Sequence, residues 1–270
     1  MPETPADPPA PSGVDTTVAH SARVWNYWLG GRDNYPVDRA LGDHVIETYP
    51  QIVEGARADR EFLRRAVTHL AAEEGVRQFL DIGTGLPTHD NTHEVARRAA
   101  PDARVVYVDN DPMVVAHARA LLVGGGHGAT EFVDADLRDV QGVLGAAAEL
   151  LDFDRPVAVT VLGTMGHIPS YEEARSLVRA YTGALAPGSF LALCDLVMPD
   201  GEAEREALRR WNEGAALPYR AHSTEEMAGY FDGLELLEPG VVSATRWRPL
   251  PTEVGSVRDV EQYCGVARKP

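Results

Sequence analysis

The chain has 270 residues, 44% of them hydrophobic, which suits one large core or one core with an appendage. Its formal net charge of −16 opposes binding to phosphate backbones, and its densest basic runs, residues 57–65 and 205–210, are interleaved with acids as on solvated helix faces. No apolar run is long enough to span a bilayer and no basic-then-apolar leader is present, so a cytoplasmic protein without nucleic-acid or membrane partners is expected, with Cys194 and Cys264 as buried free thiols.

Residues 1–17, rich in Pro, Ala, Asp and Thr, cannot build a core and are expected to form a disordered tail. Residues 18–75 read as helical. The segments are 20–29, interrupted by Gly30-Gly31, then 37–49, then 55–74 with Phe62, Leu63, Ala66, Val67 and Leu70 on one face. From residue 76 strands and helices alternate, which predicts βαβ units and a parallel sheet. The first strand is 76–82, followed by a helix at 91–100 whose Asn91 and Glu94 have capping-box spacing. The second strand is 104–108, with a helix at 112–122 and a glycine turn at 124–128. The third strand, 130–133, runs into Asp134-Ala135-Asp136-Leu137, and the fourth is 156–162. A helix at 170–185, opened by Ser170 with Glu173, leads through a Pro-Gly turn into the fifth strand, 190–196. A helical segment at 200–213 and a second capping box, Ser223 with Glu226, precede two strands near 234–247 and 258–268 that could pair as an antiparallel edge. The domain reading is a helical lid over 18–75 and an α/β domain over 76–270.

The informative stretch is Phe79-Leu80-Asp81-Ile82-Gly83-Thr84-Gly85, a buried strand entering a glycine turn. The next strand ends in Asp109, 28 residues after Asp81. In an open α/β sheet such strand ends lie side by side at the ligand crevice. Glycines let the backbone approach a bulky cofactor, and a carboxylate can accept both hydroxyls of a ribose. The acid Asp81 at the turn argues for a cofactor with a cationic end rather than a diphosphate.

Asp81-Ile82-Gly83-Thr84-Gly85, Asp109 and Asp134-Ala135-Asp136-Leu137, at three consecutive strand ends, resemble class I S-adenosylmethionine-dependent methyltransferases over residues 76–268. Leu185-Ala186-Pro187-Gly188 and the Gly265-containing last strand fit the same pattern. The run from Ser21-Ala22-Arg23-Val24-Trp25 through Asp33-Asn34-Tyr35, with Gly83-Thr84-Gly85-Leu86-Pro87-Thr88 and Trp247-Arg248-Pro249, is similar to an actinobacterial S-adenosyl methyltransferase family of mostly unassigned substrate. The resemblance implies a Rossmann-like seven-stranded sheet, mostly parallel with an antiparallel last strand, plus an N-terminal helical lid, with S-adenosyl-L-methionine as cofactor. It implies that the backbone of Gly83 and Gly85 approaches the cofactor, that Asp81 lies near its ammonium group, and that Asp109 accepts from the ribose hydroxyls. Asp136 and the Leu137 N–H would read adenine, Leu162 and Gly163 would lie beside the sulfonium, and Thr84 and Asn110 complete the set. Residues 27–35 would close as a lid, and Arg23 and Tyr27 would hold the cofactor carboxylate. Two departures stand out: Pro87 replaces the usual third glycine, so the carboxylate must find other donors, and Asn26 stands where the family more often has Asp.

Methyl transfer requires mainly alignment, with a base only if the acceptor carries a proton of high pKa. The base candidates are His167, Asp33, Tyr35 and His222, with His167 placed first because it follows the fourth strand. The acceptor pocket is expected from the N-terminal segment, residues 163–170 and residues 200–225, where Trp211, Leu217 and Tyr219 serve either an aromatic site or interdomain packing. A small-molecule acceptor, such as a secondary metabolite methylated on oxygen, nitrogen or an aromatic carbon, fits the acidic chain, and a peptide acceptor is the other possibility. Three plainer readings stay open: Asp136 as a helix cap, Trp25, Tyr27 and Trp28 as packing, and His167 as a structural or solvated histidine; a homo-oligomer stays open as well. A metal at His89, His93, Asp90 and Glu94 is not expected. A nicotinamide dehydrogenase would want glycine at position 88, where Thr88 stands, and leaves Asp136 unexplained. A non-catalytic S-adenosylmethionine-binding regulatory module is the alternative outside enzymology.

Overall fold

Three helices precede the first strand of a computed structural model that describes residues 10–124, 130–198, 201–250 and 258–270: α1 (Ser21–Trp28), α2 (Pro36–Thr48) and α3 (Ile52–Ala72). Pro36 opens α2, where its missing N–H is not needed, and the Asp38 carboxylate accepts the Tyr35 N–H at 2.8 Å. The stripe Phe62, Leu63, Ala66, Val67 and Leu70 of α3 is buried against the sheet, as its helical spacing predicts.

The sheet comprises β1 (Gln78–Ile82), β2 (Arg104–Asp109), β3 (Thr130–Asp134), β4 (Ala158–Leu162), β5 (Phe190–Leu196), β6 (Glu235–Leu236), β7 (Val242–Ser243) and β8 (Gln262–Arg268). Its order is β3-β2-β1-β4-β5-β8-β6, with β7 also on β8. The first five strands are parallel and β8 is antiparallel to β5. Strand order reverses beside β1, which pairs with both β2 and β4, so the crevice opens at their C-terminal ends. Helices α3 and α4 (Thr92–Ala99) cover one face. Helices α6 (Val140–Ala147), α7 (Tyr171–Gly183) and α9 (Thr224–Gly229) cover the other. Helix α5 (Pro112–Gly124) packs on β3. Burial on both faces explains why β1 and β5 are buried at every position and read as continuous apolar runs. A separate cluster joins α1 and α2 to α8 (Glu202–Gly214) through Trp28, Leu41, Val45 and Trp211.

Among the described residues there are eight strands where seven are expected. The strand expected near 234–247 is split into β6 and β7, both antiparallel to β8. Pro239, which has no N–H to give to a ladder, and Gly240, at φ +87°, turn the chain between them. Helix α6 has no counterpart among the sequence expectations: its two glycines mask it, and Asp139, accepting the Gly142 N–H at 3.0 Å, starts it. Residues 10–17, expected in the tail, are tied down by contacts such as Arg23 Nη1 donating to the Asp15 carbonyl at 2.9 Å. Residues 1–9 and the glycine turn from 125 to 128 lie outside the described residues. Among the described residues no helix is long and apolar enough to cross a membrane.

Candidate active site

A cavity of about 260 Å³ opens at the C-terminal ends of β1, β2 and β4, walled on one side by His20, Ser21, Trp25 and Leu29 of the α1 region. The turn after β1 forms its floor. Gly83 (φ +69°) donates its N–H to the Val108 carbonyl at 2.8 Å, and a Cβ there would sit 2.3 Å from Thr164 Oγ1. Gly85 (φ +66°) has open space where a side chain would be. Its N–H donates to Asp109 Oδ2 at 2.9 Å, while Asp109 Oδ1 accepts the Asp111 N–H at 2.9 Å. Burial pushes the Asp109 carboxyl up, and the N–H groups of Asp111, Gly85 and Asn110 oppose the shift. The two carboxylate oxygens together offer about four lone-pair sites, which leaves room for an outside donor.

Thr84, Asn110, Asp136, Leu137 and Leu162 also line the cavity. The cap of α6 is Asp139, so Asp136 is left exposed at the rim, where its Oδ1 accepts the Arg138 N–H at 2.8 Å. The Leu137 carbonyl accepts from the Tyr181 hydroxyl at 2.8 Å, which fixes this segment. Asp81 is 6% exposed, and its Oδ2 accepts the Thr92 hydroxyl at 2.6 Å. Burial pushes its carboxyl up.

Three charged or titratable lining residues, Asp59, Arg60 and His20, are not among the site residues expected from the sequence. Asp59 and Arg60 of α3 belong to a charged run that reads as a solvated face. Asp59 nevertheless precedes Phe62 and Leu63 by three and four residues, on the same buried stripe, and that spacing was the available signal. His20 is the third: its Nδ1 lies 2.5 Å from Asp111 Oδ2. Burial of Asp111 is outweighed by this partner and by the Met113 and Val114 N–H groups, so its carboxyl is held low.

His167 lies in the cavity wall in a short helical turn after β4. Its Nδ1 is 3.1 Å from the Pro218 carbonyl and its Nε2 is 2.9 Å from Ser21 Oγ. A carbonyl can only accept, so Nδ1 carries the proton and Nε2 the lone pair. Burial pushes the imidazole down from its ordinary value, keeping it neutral near pH 7.

Other expected residues are placed elsewhere. Arg23 is 2% exposed, its Nε donates to Asp38 Oδ1 at 3.0 Å, and its guanidinium lies over the Tyr35 ring. Asp38 neutralises it within the helical segment, away from the cavity lining. The Tyr27 hydroxyl donates to Asp43 at 2.6 Å on the outer side of α1. Asp33 lies 3.6 Å from His117, and Tyr35 packs against Leu86, Met113 and Val114; neither lines the cavity. His222 is 2% exposed, edge-on to Tyr230 and 3.7 Å from Asp195. Of residues 27–35 only Leu29 lines the cavity among the described residues, and the rest of that wall is the inner face of α1 with His20 before it. Asn26 is structural there, its Oδ1 accepting from the Asp33 N–H and the Asn34 amide, both at 2.9 Å.

A second cavity, lined by Trp25, Trp28, Tyr49, Trp211, Tyr219 and Gln262 among others, meets the first at Trp25. His167 stands at the junction, edge-on to the Tyr219 ring at 4.9 Å. Asp195 accepts from the Tyr219 hydroxyl and from the Gly166 N–H, fixing both sides of that junction. Gln262 Oε1 is buried without a hydrogen-bond partner among the described residues. Leu217 lines the first cavity instead.

The sheet order and the glycine turn facing an acid at the end of β2 define a class I methyltransferase fold. The chain belongs to the S-adenosyl methyltransferase family, whose pattern it matches over residues 7–270. It is therefore an S-adenosylmethionine-dependent methyltransferase. It is similar to a DUF574 family protein from Streptomyces avermitilis, with 40% identity, TM-score 0.89, and 95% of this chain and 99% of that one covered. A candidate methyltransferase from Thermobifida fusca gives 40% identity and TM-score 0.88 over 96% and 98%. The N-methyltransferase NodS from Bradyrhizobium japonicum shares the fold, with 15% identity and TM-score 0.50 over 80% and 97%. No curated protein matches significantly.

The donor set suits the cofactor: open space over Gly85, an acid with free lone pairs at Asp109, and buried acids at Asp81 and Asp59.

Proposed function

We propose that this enzyme methylates a small aromatic molecule bound in the cavity of Trp25, Trp28, Trp211 and Tyr219. The observation that carries this reading is the junction: an apolar, aromatic cavity meets the cofactor cavity at Trp25, with His167 beside the opening. Aromatic walls with few polar groups are the complement of a small planar ligand.

When bound, S-adenosyl-L-methionine supplies an electrophilic methyl group on a sulfonium. Asp109 is assigned to the ribose hydroxyls and the rim at Asp136 and Leu137 to adenine. Gly83, Thr84, Gly85 and Asn110 give the backbone and polar surround, and Leu162 faces the acceptor side. Alignment of the acceptor across the junction supplies most of the rate. His167 Nε2 takes the acceptor's proton, through the Ser21 hydroxyl that now donates to it, while the Pro218 carbonyl holds the ring. This assignment suits an acceptor with an O–H or N–H group, and a secondary metabolite of that kind is the expected class.

The test is a transfer assay with labelled cofactor against small phenols and indoles, and in parallel against peptides containing the same side chains. Turnover of free aromatics with none on peptides supports the reading. Turnover confined to peptides or proteins overturns it.

A further inference from the structure

We propose that Asp59 of α3 pairs with the α-ammonium group of the cofactor, which makes the helical segment before the fold's first strand part of the cofactor site. The inference rests on the cavity being the S-adenosylmethionine site. Asp59 is 4% exposed, lines the cavity, and its Oδ1 has no hydrogen-bond partner among the described residues. A buried carboxyl oxygen without a donor costs free energy and marks a place for one. Asp81, the acid nearest by chain position to the glycine turn, already accepts from Thr92.

The surroundings of Asp59 decide what it can take. From its own helix it faces Arg60; from β1, Asp81; from β5, Asp195 and the Cys194 thiol, with Cys264 of β8 behind that thiol. Two acids and one guanidinium on one cavity wall are the complement of an α-amino-acid zwitterion, with Arg60, whose Nη2 also donates to the Asp90 carbonyl at 3.2 Å, assigned to the carboxylate in place of Arg23, which Asp38 holds. Burial pushes the Asp59 carboxyl up to about 7, against the pull of Cys194 and Arg60. Near neutral pH the empty site therefore holds part of a proton. An incoming ammonium favours the carboxylate, so Asp59 carboxyl plus ligand ammonium gives the ion pair and one proton released to solvent.

The experiment titrates S-adenosylhomocysteine into the wild-type protein at pH 6 in two buffers of different ionisation enthalpy, with 5′-methylthioadenosine, which lacks the amino-acid end, as control. Release on the order of one proton with the first ligand and none with the second is expected. Wild-type affinity for S-adenosylhomocysteine should rise about tenfold from pH 5.5 to 7.0, and Asp59→Asn should abolish that slope and bind about tenfold more weakly at pH 7. Equal proton release with both ligands, or binding without release, overturns the role of Asp59 while leaving the cofactor site intact, and needs no variant. Wild-type affinity and slope retained in Asp59→Asn overturn it as well. Failure of the wild-type protein to bind either nucleoside overturns the cofactor reading of the cavity together with this inference.

Discussion

His167 Nε2 and Ser21 Oγ lie 2.9 Å apart across 146 residues of sequence, joining the end of β4 to the first turn of α1. The histidine's lone pair therefore meets a hydroxyl rather than open cavity, and in the proposed mechanism that hydroxyl relays the acceptor's proton. His167→Ala is expected to cut turnover by roughly 10²–10⁴-fold while S-adenosylhomocysteine affinity stays within a few-fold. Because burial holds the imidazole below its ordinary value, the midpoint of the acid-side loss of wild-type turnover should lie below the 6.5 of an ordinary histidine. Single-turnover rates across pH check both, and a flat profile that survives in His167→Ala would remove it as base. Ser21→Ala should lower the rate less, because water can replace the hydroxyl.

Arg23 and Asp38 are expected to carry stability rather than catalysis. Both are buried, at 2% and 0% exposure, and the guanidinium also donates to the Asp15 and Val18 carbonyls. Arg23→Ala strands a buried carboxylate and should lower the unfolding free energy by roughly 3–5 kcal/mol. In the folded fraction, S-adenosylhomocysteine and 5′-methylthioadenosine should weaken to the same extent. A selective loss for the ligand with the amino-acid end would restore Arg23 as a carboxylate clamp.

Asp109 couples the β2 end to the glycine turn through Gly85. Asp109→Ala removes both expected ribose contacts and frees the turn. At about 1.5–3 kcal/mol per hydrogen bond to a charged group, S-adenosylhomocysteine affinity should fall by at least about tenfold. Calorimetric titration measures it, and affinity within two-fold of wild type would move the ribose elsewhere.

The sheet was legible because buried parallel strands read as apolar runs: the expected 190–196 strand coincides with β5, and Asp81, Gly83, Gly85, Asp109 and Asp136 do gather at one cavity. Because the first five strands run parallel, chain direction alone puts the last residues of each at the same edge, so local sequence suffices there. The N-terminal segment was less legible. In Ser21 to Tyr35 the pattern gives a helix but not which face turns inward, and the partner that settles Arg23, Asp38, comes from α2. Asp59 was hidden by its charge: a carboxylate among arginines looks solvated until the helix's buried stripe is traced through it.

The second cavity gives a further expectation. Gln262 Oε1, buried and without a donor at its wall, is assigned to an acceptor's N–H or O–H group. Gln262→Leu should raise the acceptor KM about tenfold, since a lost buried hydrogen bond is worth roughly 1–2 kcal/mol, with the cofactor Kd unchanged. Initial-rate kinetics at saturating cofactor check it. An unchanged KM would show that the acceptor does not reach Gln262.

Asp59 has the opposite sign of effect on the empty protein. Its folded-state value, near 7, lies above the ordinary 3.8, so the stability it contributes is complete below pH 3.8 and is lost as pH rises to about 7. Above that the buried carboxylate is a fixed burden of no more than about 4 kcal/mol. Asp59→Asn carries no such ionisation. Without ligand, the variant should therefore be more stable than wild type at pH 8 and lose that advantage toward pH 4. Denaturant unfolding at the two pH values measures the difference. Adding S-adenosylhomocysteine at pH 8 should stabilise the wild type more than the variant, because only the wild type gains an ion pair. A variant less stable than wild type at pH 8 would mean that Asp59 is already satisfied inside the protein and does not wait for a cation.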